Sequence, residues 1–145
     1  MSVILRYALI LFSLLAGLAI YLVCRHTSSP FYQWAVQLGY SGTVDSARSL
    51  LSSIHLPAWF IYSLPDGLWM FSFVLFMMAV WDFRFSGTAK IWILTSVCLG
   101  LSFEICQAFI KGMGAFDWMD MIFLSAGAFI PVLLFSKHKS YETIH

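Results

Sequence analysis

Charged residues are scarce in this sequence. Of its 145 residues, 10% are charged and 61% are hydrophobic, and the mean hydropathy is +0.85. A soluble domain has roughly a quarter of its residues charged, so this chain lacks the polar surface of one. The formal net charge of +1 also provides no strongly basic surface for nucleic acid. The composition therefore excludes an ordinary soluble protein and favours an integral membrane protein.

Cysteine pairs and the motifs of common catalysts are missing as well. The three cysteines, Cys24, Cys98 and Cys106, form no C-x-x-C pair and show no His/Cys metal spacing. The sequence contains neither a P-loop nor an H-E-x-x-H pattern. Its apolar runs are continuous rather than alternating, which favours helices over barrel strands. We therefore expect an all-α membrane protein whose function no standard motif identifies.

Four apolar segments are long enough to cross a hydrocarbon core of ~30 Å. The predicted transmembrane helices cover residues 3–23, 65–81, 89–110 and 116–135. Together they predict a single domain, a four-helix membrane bundle. A cleaved signal peptide is the alternative for the first segment, but the residues before Cys24 make a poor lipobox and no Ala-x-Ala site occurs.

The second predicted helix has a proline and an acid at its start. Pro65 suits the first helical position, because its missing N–H costs nothing there. Asp66 would then lie in the first turn, where the helix dipole favours a negative charge. Asp66 is thus either a capping acid or part of a polar site.

The connection over residues 24–63 is the long polar stretch of the chain. Apolar residues recur at helical spacing around Trp34 and again between Val44 and Ile54. We predict two short amphipathic helices that lie in the membrane interface, with Trp34 and Trp59 at headgroup level. An irregular surface loop is the alternative.

Four membrane helices place both termini on the same side of the bilayer. The Lys and Arg residues of that side are Arg6, Arg84, Lys90, Lys137 and Lys139. Those of the opposite side are Arg25, Arg48 and Lys111. The positive-inside rule therefore favours cytoplasmic termini, with the long connection outside.

Acidic residues gather where the third and fourth segments meet. Glu104 and Gln107 stand near the end of the third segment, and Asp117 and Asp120 stand at the start of the fourth. The topology places these residues and Asp66 toward the same, outward side. Because charge in such a position is costly and usually functional, the pattern predicts one outward-facing polar site.

Four carboxylates in one partly dehydrated pocket cannot all be ionised without a counterion. A retained proton would suit acid/base chemistry on a lipid-linked substrate. A hard cation such as Mg²⁺ or Ca²⁺ would suit recognition of a phosphate. A basic side chain would suit a structural role; Lys111 is the nearest in sequence, and Arg25 or Arg48 could approach from the long connection.

Taken in order, these residues resemble the VanZ-like family of membrane proteins over about residues 64–132. The matching positions are Asp66, Glu104 with Gln107, Asp117 with Asp120, and Gly127. The chain differs from the family pattern at Gly67, Met70 and Leu124, and it lacks the Arg that precedes the paired acids. The resemblance implies a bacterial cytoplasmic membrane, and an association with glycopeptide resistance, notably to teicoplanin, at the cell envelope.

The leading hypothesis is a VanZ-like membrane protein whose acidic site binds the headgroup of a polar lipid or cell-envelope precursor, directly or through a divalent cation. The residues predicted to bind the cation or exchange protons as catalytic groups are Glu104, Asp117 and Asp120. Those predicted to contact the ligand are Asp66, Gln107 and Lys111. Two alternatives are open: a non-enzymatic subunit bound to another membrane protein, and a small transporter. Whether the protein is an enzyme is also open at this point.

Overall fold

The structure, a computed structural model of the chain, describes residues 3–83, 86–110 and 115–135. These residues form six α-helices, and no β-strand occurs among them. The helices are α1 (Val3–Cys24), α2 (Pro30–Gln37), α3 (Ser41–Leu51), α4 (Ala58–Val80), α5 (Gly87–Phe109) and α6 (Trp118–Phe135). Four of them, α1, α4, α5 and α6, are long and apolar enough to cross a membrane. The prediction of an all-α protein with four helices long and apolar enough to span a membrane is confirmed.

The second long helix begins earlier than predicted. α4 starts at Ala58, so the predicted start at Pro65 is wrong, and Asp66 does not lie in a first turn. The reason is that the residues between Ala58 and Pro65 are almost all apolar, and Pro57 already provides an extended N-cap with φ −67° and ψ 151°. Pro65 lies inside the helix, where it has no N–H to give to the carbonyl of Ile61.

α4 is the central long helix. It contacts α1, α5 and α6, whereas α1 contacts neither α5 nor α6 in the part of the chain that the structure describes. The contact between α4 and α6 is close because two glycines face each other across it. A Cβ atom on Gly67 would lie 2.8 Å from the carbonyl oxygen of Phe123, and one on Gly127 would overlap the carbonyl oxygen of Gly67. Small residues of this kind let helix backbones approach in lipid, where van der Waals packing drives association.

The apolar core lies in the second half of α4 and against α6. Its buried residues are Met70, Val74, Leu75, Met78, Leu124, Ala128 and Phe135. Val74 and Leu75 are fully buried. This core follows Asp66 along α4 and Asp120 along α6, so the polar residues lie at one end of the helix pair and the apolar packing at the other.

The connection between α1 and α4 folds back onto α1. Ser29 caps α2 by accepting the N–H of Tyr32. Phe31 of α2 packs against Tyr21 of α1 and Trp69 of α4, with ring centroids 4.8 and 5.5 Å apart. These contacts hold the connection beside the end of α1, where Arg25 follows the helix.

Arg48 of α3 makes its contacts within this connection. Its guanidinium donates to the backbone carbonyl of Arg25 and lies over the ring of Tyr32, 5.0 Å from the centroid. Tyr32 in turn donates to the carboxylate of Asp45 at 2.9 Å, and this hydrogen bond raises the pKa of Tyr32. Arg48 thus supports the backbone at Arg25, while the side chain of Arg25 reaches toward α4.

Candidate functional site

Three carboxylates from three helices converge at one point. Asp66 of α4, Glu104 of α5 and Asp120 of α6 each provide an oxygen atom, and these oxygens lie within 4.8 Å of one another. The close contact at Gly67 and Gly127 explains part of this arrangement. Asp66 directly precedes Gly67, and Asp120 lies two turns before Gly127 on the same face of α6.

Two buried oxygens of this cluster have no hydrogen-bond partner among the described residues. Gln107 donates from Nε2 to Glu104 Oε1 at 3.2 Å, which leaves Glu104 Oε2 unpaired. Asp120 Oδ1 is also buried and unpaired. Glu104 as a whole is only 6% exposed. Because a buried carboxylate oxygen without a partner is costly, these atoms indicate a place that receives a donor or a cation.

Arg25 is the basic side chain that the structure brings to the carboxylates. Its Nη2 lies 3.7 Å from Asp66 Oδ2, and both side chains are partly buried. Lys111, the cation that is nearest in sequence, lies outside the described residues. Among the residues that the structure describes, one guanidinium therefore stands beside three carboxyl groups, an excess of acidic over basic groups.

The position of Arg25 follows from the proline inside α4. The Ile61 carbonyl lacks its helical partner because Pro65 has no N–H, and Arg25 Nε donates to it at 3.5 Å. Arg25 Nη2 also donates to the Tyr62 carbonyl at 2.7 Å, and Nη1 donates to the Tyr21 hydroxyl at 2.6 Å. The guanidinium is therefore a structural part of the α1–α4 contact as well as a partner of the acids.

Asp117 occupies a different place from Asp120. α6 begins at Trp118, so Asp117 precedes the helix, and its Oδ1 accepts the N–H of Met119 at 2.9 Å. It is exposed and lies on the cavity lining, outside the group of three converging oxygens. Such a hydrogen bond is typical of an N-cap aspartate.

The cluster forms the polar end of a cavity of about 1270 Å³. The rest of the lining is largely apolar and comes mainly from α1, α4 and α5, with a smaller part from α6 and the residues before it. It includes Ile10, Leu14, Phe73, Phe76 and Phe103. The Cα atoms of α1 and α5 do not approach within 8 Å of each other, so this apolar part lies in a gap between the two helices that residues of α4 also line.

The apolar lining is a feature that sequence reasoning misses. Ile10 and Leu14 are four residues apart on α1, and Phe73 and Phe76 are three apart on α4. Any lipid-facing helix shows the same spacing, so the pattern contains no signal of a cavity. The ion pair between Arg25 and Asp66 has a weak signal in the sequence. A proline within an apolar helix leaves one backbone carbonyl without its helical N–H donor, and that carbonyl needs another donor.

No protein-family model, curated protein or solved structure matches this chain. The resemblance to the VanZ-like family therefore stays a prediction. The structure thus combines four helices that are able to span a membrane with a partly buried acidic cluster beside an apolar gap.

Proposed function

We propose that the protein binds an amphiphilic lipid or envelope precursor in this cavity. The headgroup would lie at Asp66, Glu104 and Asp120, and the hydrocarbon part would lie in the gap between α1 and α5. One observation carries the proposal: buried carboxylate oxygens that have no partner among the described residues and an apolar lining belong to the same cavity. A ligand with a polar end and an apolar remainder is the kind of molecule that satisfies both parts.

The proposal includes the predicted setting of the protein. α1, α4, α5 and α6 would form a transmembrane bundle in a bacterial cytoplasmic membrane, with the termini inside and the acidic cluster toward the outer face. α2 and α3 would lie in the outer interface. The exposed rings of Trp34 and Trp59, 55% and 42% accessible, support this because tryptophan favours the headgroup region. The protein would be VanZ-like in this arrangement of acids on its last three long helices.

A headgroup can reach the acids in two ways. Its own positive charge can contact the carboxylates directly, or a Mg²⁺ or Ca²⁺ ion held by the acids can bridge to a phosphate. Gln107 would orient Glu104 in either case, through the hydrogen bond described above. A catalytic role for Glu104, Asp117 and Asp120 stays a prediction.

The test fills the apolar part of the cavity without changing the acids. Leu14→Trp places a large ring in the lining, and Leu15→Trp is its matched control on the same helix, outward from the cavity. Native mass spectrometry of the purified protein would measure the fraction with bound lipid. We expect Leu14→Trp to weaken lipid binding about tenfold, the effect of ~1.4 kcal/mol, and Leu15→Trp to leave it unchanged. Equal lipid occupancy in the two variants, or no bound lipid in the unmodified protein, would contradict the proposal.

A structural subunit of a larger membrane complex is the second candidate. In the apolar spans of α1 and α5, 11% of the residues are buried, against 44% in α4. These exposed faces suit either lipid or a partner protein. Chemical cross-linking in membranes followed by purification would separate the two, because a subunit would yield a partner protein in constant ratio. A small transporter is less well supported, because the buried core beyond the acids consists of apolar residues such as Val74 and Leu75.

A further inference from the structure

Building on the proposed lipid binding, we propose that the headgroup recognised is a primary ammonium. The ligand class is an amine-bearing amphiphile whose –NH₃⁺ group is held by Asp66, Glu104 and Asp120, with its chain in the gap between α1 and α5. The site would then select lipids by the N–H donors at their polar end.

The spacing of the three oxygens fits such a group. A primary ammonium has three N–H donors in tetrahedral directions, and charge-assisted N–H···O bonds are about 2.7–2.9 Å long. Three acceptors around one nitrogen are therefore about 4.6 Å apart. The three carboxylate oxygens lie within 4.8 Å of one another. Glu104 Oε2 and Asp120 Oδ1, which have no partner in the described part of the chain, are the acceptors available to these donors.

The charge of the cluster favours a cationic group over an anionic one. In the described part of the structure, Arg25 is the basic side chain that forms an ion pair with the cluster, and it does so with Asp66. Its guanidinium is already engaged by Tyr21 and by two α4 carbonyls. A ligand cation would reduce the remaining excess of negative charge. An anionic headgroup would increase it, at a cost that is larger in a partly dehydrated site.

The surroundings favour an ammonium over a bound metal ion. Mg²⁺ and Ca²⁺ take six or more oxygen ligands. Two other oxygen-bearing side chains near the carboxylates are engaged elsewhere: Gln107 donates its amide to Glu104, and Asp117 accepts the N–H of Met119 outside the group of converging oxygens. The lining on the neighbouring turns also includes Met70, Leu124 and Gly100, which have no side-chain oxygen. The fourth substituent of an alkylammonium is carbon, and it needs an apolar neighbour rather than a further ligand. The cavity provides the three acceptors on one side and apolar side chains on the other.

The experiment compares headgroups on identical chains. The purified protein in detergent would be titrated with dioleoylphosphatidylethanolamine, dioleoylphosphatidylcholine and dioleoylphosphatidylglycerol, and separately with Mg²⁺ and with Ca²⁺ alone. Ethanolamine and choline lipids share the phosphate and differ by three methyl groups in place of three N–H donors. We expect the ethanolamine lipid to bind at least about tenfold more tightly than the choline lipid, as loss of charged hydrogen bonds predicts. The glycerol lipid should bind more weakly than the ethanolamine lipid.

Substitution of the acids tests whether they cause the preference for the ethanolamine headgroup. Asp120→Asn and Glu104→Gln keep the shape of each side chain and should each reduce the preference for ethanolamine about tenfold or more. Asp45→Asn is the matched control, because Asp45 lies on α3 and bonds Tyr32 away from the cavity. If Glu104→Gln does not fold, Asp120→Asn and the headgroup comparison on the unmodified protein still decide the question.

The outcomes separate this inference from the proposed function. Equal binding of ethanolamine and choline lipids, both weakened by Leu14→Trp, would overturn ammonium recognition and leave lipid binding intact. Binding that requires Mg²⁺ or Ca²⁺ and is indifferent to the amine would replace the ammonium by a metal ion. Absence of binding by every lipid would overturn both proposals.

Discussion

Replacing Gly127 by alanine is the sharpest test of how the acidic cluster is built. A methyl group on Gly127 would overlap the carbonyl oxygen of Gly67 and lie 3.0 Å from its carbonyl carbon and 3.1 Å from the backbone nitrogen of Phe71. All three atoms belong to the α4 backbone, which cannot rotate away as a flexible side chain can. The two helices must therefore move apart, and Asp120 must move away from Asp66.

Two opposing effects determine how much Gly127→Ala lowers the free energy of unfolding. Overpacking of a close contact costs about 1–3 kcal/mol, and the better helix propensity of alanine returns up to about 1 kcal/mol. The net destabilisation then lies between about 0 and 3 kcal/mol, with roughly 1–2 kcal/mol as the expected value. For a chain of this length that corresponds to a fall in Tm of roughly 3–8 °C.

Thermal unfolding of the detergent-purified protein, followed by circular dichroism, measures this shift. Gly42→Ala is the matched control, because a Cβ atom on Gly42 of α3 meets nothing within 4 Å and the substitution should be neutral or slightly stabilising. We also expect Gly127→Ala to reduce the headgroup preference, because the three oxygens no longer converge. A variant as stable and as selective as the unmodified protein would refute the close α4–α6 contact as the basis of the site.

Arg25→Met should destabilise the protein by about 1–3 kcal/mol, because it leaves a partly buried acid and two carbonyls without their partner. The same change should cost less in a Pro65→Ala background, because the alanine N–H then bonds the Ile61 carbonyl; a double-mutant cycle by denaturant titration measures the difference, and strict additivity would contradict the role of the proline. Ser72→Ala removes the hydrogen bond from Ser72 Oγ to the Ile10 carbonyl, 2.9 Å in length, and should cost about 0.6 kcal/mol in the same titration. A loss several times larger would show that this contact does more than join α1 to α4.

The sequence predicts the long helices well because their signal is local. A continuous apolar run of the right length identifies each of them, whatever the rest of the chain does. The predicted start of α4 is wrong because Pro65, a residue typical of a first helical turn, here lies inside the helix and an apolar run precedes it. Pro57, followed by that run, is the better start signal, and a proline within a membrane helix is tolerated when another group serves the freed carbonyl.

The acidic site is predictable only in part. Topology alone places Asp66, Glu104 and Asp120 toward one end of the helices, and the spacing of Gln107 from Glu104 allows their hydrogen bond. The same reasoning groups Asp117 with Asp120, although an aspartate directly before an apolar helix is also a typical N-cap. The contact of Arg25 with Asp66 depends on how the α1–α4 connection folds back. The spacing of residues along the sequence does not reveal how this connection folds.

Because α1 and α5 leave a gap, a lipid would enter the cavity by lateral diffusion and would never need to pass through water. Every membrane phospholipid is then a competitor, and occupancy depends on the ratio of affinities rather than on tight binding. With a tenfold preference, an amphiphile that makes up a tenth of the leaflet would fill about half of the occupied sites. On the proposed function, a modest difference in affinity at the three oxygens would thus be enough to decide which headgroup occupies the site.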